Sequence, residues 1–142
     1  SHEVHPVHDM AWTIPEDRMW WEDQVTIREC TNLLIKENLL RGSNVQFRAS
    51  GWSMVPRVHE GDMCMYEPVA GEDSIKVADV VFCRVRPSGQ WIAQHVLSIE
   101  QPSDVRYFDI GYCRAVGEKV VGYCTYKEIY GRLVEVVREK VR

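Results

Sequence analysis

Ser53 is the residue of this chain best placed to do chemistry. It sits in Gly51-Trp52-Ser53-Met54-Val55-Pro56, and Gly61-Asp62 follows shortly after. Glycine releases the backbone for a sharp bend and proline fixes φ just beyond it, so the motif can hold a serine at a strand end with its hydroxyl exposed. A serine hydroxyl becomes a useful nucleophile only when a neighbouring base takes its proton. His95, in Trp91-Ile92-Ala93-Gln94-His95-Val96-Leu97, is the candidate base, because neutral imidazole accepts a proton near physiological pH. Strand alternation puts Ala93, His95 and Leu97 on one face. Whether that face meets Ser53 depends on the fold. The competing reading of His95 is a core histidine whose nitrogens are satisfied locally. Asp62 is expected to pin its own turn rather than act in chemistry.

Other reactive residue types give weaker patterns. His2, His5 and His8 have a His-x-x-His-x-x-His spacing, read here as a flexible tail rather than a metal site. The five cysteines, Cys30, Cys64, Cys83, Cys113 and Cys124, contain no Cys-x-x-Cys pair, which argues against a zinc knuckle. Cys64 and Cys83 fall in apolar runs where cysteine acts as a small hydrophobe. The expectation is reduced thiols, a reducing cytoplasm-like compartment, no metal and no cofactor.

The elements that must position Ser53 and His95 follow from periodicity. Residues 1–12 read as an extended arm. Thr13-Ile14-Pro15-Glu16 has the form of a capping box with proline in the first turn, and a helical pattern follows to Leu40, with Gly42 as its stop. Trp20, Ile27, Cys30/Thr31 and Leu34, widened by Trp21, Val25, Leu33 and Leu40, are the expected packed face of that helix. After Gly42 the period becomes two, with Val45, Phe47 and Ala49 alternating against Gln46, Arg48 and Ser50. Further strands are expected at Met63–Tyr66, Asp79–Arg86, Gln90–Glu100, Arg106–Ile110, Lys119–Cys124 and Ile129–Val137, with a hairpin turn at Pro87-Ser88-Gly89. The reading is a mainly β (α+β) protein: an arm over 1–12, a packed helical segment over 13–42, and a coiled antiparallel β domain over 43–142.

Bulk properties exclude several classes. A chain of 142 residues suits one domain with a real core. Its net charge of −4 is not the basic surface of a nucleic-acid binder, and the basic residues of 132–142 are interleaved with Glu135 and Glu139. No apolar run approaches the roughly 18 residues of a membrane span.

Taken in order, Gly51-Trp52-Ser53-Met54-Val55-Pro56, Gly61-Asp62, Asp79-Val80-Val81-Phe82, His95-Val96 and Ile129-Tyr130-Gly131-Arg132-Leu133-Val134 resemble the signal peptidase and LexA-like superfamily of serine peptidases. The resemblance covers residues 45–136. It implies that Ser53 is the nucleophile and His95 the base, as in the histidine branch of that superfamily. It also implies oxyanion donors at Ser53 and at Ser50 or Trp52, and a small side-chain pocket lined by Met54. Substrate would be an extended peptide beside Val45–Ser50. Departures are Ala78 where glycine is usual, Val96 where the histidine branch commonly has arginine, and no Gly-Asp-Asn box. Asp109, in Phe108-Asp109-Ile110-Gly111, is the remaining candidate for an acid that orients His95. Ala70-Gly71 lies after the serine, on the wrong side for LexA-type self-cleavage. The competing expectation is an inactive fold of this type serving as an assembly module, in a virus particle or larger complex, through the arm, the helix and Trp20-Trp21.

Overall fold

The computed structural model describes residues 11–13, 24–51, 54–113 and 117–138. Its elements are β1 (Ala11–Thr13), α1 (Gln24–Leu40), β2 (Asn44–Arg48), β3 (Met63–Pro68), β4 (Val80–Arg84), β5 (Trp91–Glu100), β6 (Tyr107–Tyr112), β7 (Lys119–Cys124) and β8 (Ile129–Val137). All eight strands belong to one sheet, in the order β1-β2-β3-β8-β4-β5-β6-β7. Seven of them pair antiparallel, and β1 joins β2 in parallel. The class is therefore mainly β with one α-helix among the described residues, as the alternation predicted.

The sheet coils because it is bulged and partly closed. Register shifts interrupt four of its ladders, between Met65 and Tyr66, Phe82 and Cys83, Val96 and Ser98, and Ile110 and Gly111. Each inserted residue bends its strand and increases the local twist. Arg86 and Tyr123 then exchange backbone hydrogen bonds of 2.8 and 3.0 Å, joining the chain beyond β4 to β7. That contact wraps β4, β5, β6 and β7 around a core of their own.

Strand alternation divides the core in two. Val80 and Phe82 of β4 point into a cluster with Val45, Tyr66, Met54, Val58 and two residues of α1. Val81 and Cys83 point the other way, into a cluster with Val96, Phe108, Ile110 and Cys124. β4 is apolar on both sides because both of its faces are covered.

α1 packs differently from its expected face. Among the helix residues from Cys30 onward, whose burial is described, Ile35 and Leu39, four residues apart on one side, are the buried ones, whereas Leu33, Leu34 and Leu40 are 47, 47 and 62% exposed. The reason lies in the sheet. Gly131 of β8 leaves a dimple, and a Cβ there would come within 2.8 Å of the Leu39 side chain. Thr13, expected to cap the helix, is in β1. The helical pattern over 15–23, Trp20-Trp21, and His2, His5 and His8 lie outside the described residues.

Candidate functional site

The motif around Ser53 forms a loop closed at its base. Ala49 N donates to Asp62 O at 2.8 Å, and Gly61 N donates to Ala49 O at 2.8 Å. Gly51 and Gly61 flank the loop at φ of +87° and +89°, in the left-handed region that glycine enters without steric cost. Asp62 is 2% exposed. Its carboxylate accepts from His59 N at 2.8 Å and from the Arg138 guanidinium at 2.9 and 3.0 Å. Those donors, the Arg138 side chain first, hold its pKa down to about 2. Asp62 thus pins its turn, as the sequence indicated, and ties it to the end of β8. Trp52 and Ser53 are outside the described residues.

The residues that follow Ser53 are placed. Met54 is buried, Val58 N donates to Met54 O at 3.0 Å, and the Val55–Pro56 peptide is cis. Two contacts fasten this turn to neighbouring strands. Arg57 Nη1 donates to Ala78 O at 2.9 Å, and Cys113 Sγ lies 3.6 Å from Val55 O. Ala78 in turn donates its N–H to Val96 O at 2.8 Å. The turn is therefore bridged to the strand that carries His95.

His95 of β5 pairs with Val80 of β4 on one side and Gly111 of β6 on the other. Directly paired residues share a sheet face. His95 therefore shares the Val80 face, the same one that Met54 and Val58 cover. It is 6% exposed. Burial, reinforced by the positive charge of Arg57, lowers its pKa from the usual histidine value. The imidazole is held neutral at pH 7, the state a general base requires. Its Nδ1 is buried and has no hydrogen-bond partner among the described residues. Ala93 shares this face through its pairing with Phe82, as alternation predicted, while Leu97 falls at the bulge.

Asp109 does not orient His95 in this structure. It lies opposite Ser98, and its Oδ2 accepts a 2.8 Å hydrogen bond from the Ser98 hydroxyl. The bulge between Val96 and Ser98 sets that register. Val96, where an arginine was the pattern, packs instead into the second core cluster.

A pocket of about 550 Å³ opens beside the loop. Its lining includes the exposed Ser50, Met54, Thr31 and Ile35 of α1 and Ala93 of β5, together with the polar side chains of Asn32, Arg48, Gln90 and Gln94. Its floor is aromatic. Phe47 stacks on Tyr66 with centroids 5.0 Å apart, meets Phe82 edge-on at 6.1 Å, and Phe82 stacks on Trp91 at 5.6 Å. Sequence reasoning placed Met54 beside a small pocket and did not find this floor. Its only trace in the sequence is that Phe47, Tyr66, Phe82 and Trp91 occupy inward positions of four separate strands.

The edge expected to receive substrate, Val45–Ser50, is partly taken. β1 pairs with Asn44, Val45 and Gln46.

All five cysteines are free thiols, with Cys30 exposed and Cys64, Cys83 and Cys124 buried. Burial pushes the Cys64 thiol up to about 11, away from nucleophilic use. Among the described residues no helix is long and apolar enough to cross a membrane. Comparison of the chain with protein-family models, with curated proteins and with solved structures returned no match.

Proposed function

We propose that this protein is a serine peptidase-like domain of the signal peptidase and LexA-like kind, with Ser53 as nucleophile and His95 as base. One observation carries the reading. The turn that directly follows Ser53 packs on the sheet face that holds a buried, neutral His95, and Arg57 and Ala78 bridge the two segments. In the reaction, His95 takes the Ser53 hydroxyl proton as Oγ attacks a peptide carbonyl. The tetrahedral oxyanion accepts from the Ser53 N–H and from a second donor at Ser50 or Trp52. Collapse expels the amine, which receives the proton from His95, and water then hydrolyses the acyl-serine with His95 again as base. The substrate is a protein segment in extended form.

The second reading is a non-catalytic assembly module. The pairing of Asp109 with Ser98 favours it, because a base with no acidic partner among the described residues is oriented by packing alone. Labelling with a fluorophosphonate separates the two. The peptidase reading expects wild-type protein to be acylated and both Ser53→Ala and His95→Ala, still folded, to be unlabelled. Folded wild type that resists the probe across the neutral pH range leaves the module reading standing.

A further inference from the structure

We propose that Cys83 and Cys124 are a redox-active dithiol, which a small-molecule disulfide of the glutathione class converts to a disulfide that locks β4 to β7. The structure is that of the dithiol form. This bond owes nothing to the peptidase reading, and its failure would leave the roles of Ser53 and His95 untouched.

Register brings the two residues together. Arg86 and Tyr123 form an antiparallel pair, exchanging backbone hydrogen bonds of 2.8 and 3.0 Å. Val85 therefore stands opposite Cys124, and Cys83, two residues earlier, shares the face of Val85. Gly122 permits this close approach, because a Cβ there would meet the Val85 Cβ at 2.8 Å. A hydrogen bond joins the Cys83 and Cys124 side chains, so the two sulfurs are already in contact. The other cysteines are placed elsewhere. Cys64 is in the opposite core cluster, Cys30 is exposed, and Cys113 reaches Val55 O.

The surroundings suit a cross-link. Both cysteines are fully buried, in an apolar cluster with Val85, Phe108, Ile110 and Ile129. The hydrogen bond to Cys124, and burial after it, hold the Cys83 thiol well above its usual range, so the closed structure protects the dithiol from reagents. A disulfide between them also braces the weakest seam of this half of the sheet. β4, β5, β6 and β7 pair with their neighbours along whole strands. The backbone closure from β4 back to β7 rests, among the described residues, on the Arg86–Tyr123 bridge.

Opening of that bridge, or folding itself, admits the oxidant. One cysteine, as thiolate, attacks a sulfur of the small disulfide and expels the first small thiolate, which takes up a proton. The second cysteine, as thiolate, attacks the protein sulfur of the mixed disulfide and expels the other small thiolate, which is protonated in turn. Two protein S–H groups and one small S–S bond thus become one protein S–S bond and two small S–H groups. The protein is oxidised, the small disulfide is reduced, and no other oxidant enters. Closure then buries the bond away from reductants. In the unfolded chain it ties off a loop of about 40 residues, which lowers the entropy that folding must overcome.

The test uses the full chain, unfolded in urea with dithiothreitol and refolded in glutathione buffers graded from reduced to oxidised. Remaining thiols are trapped with N-ethylmaleimide in denaturant, and the linkage is mapped by mass spectrometry. The expectation is that oxidised buffer yields a protein whose digest contains the Cys83 and Cys124 peptides joined by a disulfide. Its Tm should exceed that of the dithiol form by about 10 °C. Cys83→Ala and Cys124→Ala should each lose the linked peptides and melt at one temperature in both buffers. Refolded wild type that keeps both thiols in oxidised buffer overturns the proposal, as does a linkage through Cys30, Cys64 or Cys113 in place of this pair. A linked form that melts no higher than the dithiol form overturns the lock. If either alanine variant fails to fold, the wild-type linkage map and the paired melting curves decide the question.

Discussion

His95 is neutral at pH 7 because it is buried and because a positive charge faces it, in that order. Replacing Arg57 by Gln removes the second cause, so the His95 pKa rises and the acid limb of the labelling rate moves to higher pH. Arg57→Lys keeps the charge and should leave the limb near its wild-type position. A limb that stays put in Arg57→Gln would show that this charge is not felt at the imidazole. The same shift has a stability consequence. With a folded pKa below the unfolded value, His95 favours the folded state above about pH 6.5, and that contribution is lost as pH falls toward the folded pKa. Ala78 offers a second test at this scale. It holds φ of +82°, a conformation costing a non-glycine residue on the order of 1–3 kcal/mol, at the position where the superfamily pattern has glycine. Ala78→Gly should therefore gain about 1 kcal/mol after the entropy of the unfolded glycine is subtracted. A melting curve reads this as a rise of a few degrees in Tm, and a fall would show that the strain is absent.

At the scale of elements, the loop and the helix are each anchored by buried side chains: Asp62 for the loop, Ile35 and Leu39 for the helix. Asp62 holds the base of the Ser53 loop to β8 through Arg138. Its depressed pKa means that this support is complete above pH 3.8 and is lost as pH falls from there to about 2. Asp62→Asn should lower Tm at neutral pH and flatten the acid-side decline over that window. A variant melting in parallel with wild type down to pH 2 would contradict the role. α1 is held by Ile35 and Leu39. Leu39→Ala should cost about 2–5 kcal/mol by urea denaturation, because the dimple over Gly131 would be left empty. Leu34→Ala, on the exposed side, should change stability by no more than about 0.5 kcal/mol.

At the scale of the whole molecule, β1 completes the sheet by covering part of the β2 edge. An uncovered edge strand offers unpaired N–H and C=O groups to another chain. A variant lacking residues 1–13 should therefore associate through β2, seen as a concentration-dependent increase in sedimentation coefficient. A truncated chain whose sedimentation matched that of the full protein at every concentration would mean that β1 protects nothing. Much of this architecture could be read from local pattern. Lys119–Cys124 and Ile129–Val137 fall where alternation placed them, and β2 to β6 agree within a few residues, whereas β1 was expected as part of an arm and a helix cap. Alternation, turn glycines and the Gly61-Asp62 step are properties of neighbours in the chain, so the sequence by itself determined the strand succession from β2 to β8 and the turn that Asp62 pins. Tertiary structure alone decided the packed side of α1, the partner of Asp109 and the aromatic floor of the pocket. Those depend on bulges and on registers between strands distant in sequence, where a shift of one residue reassigns every cross-strand neighbour and no local pattern records it.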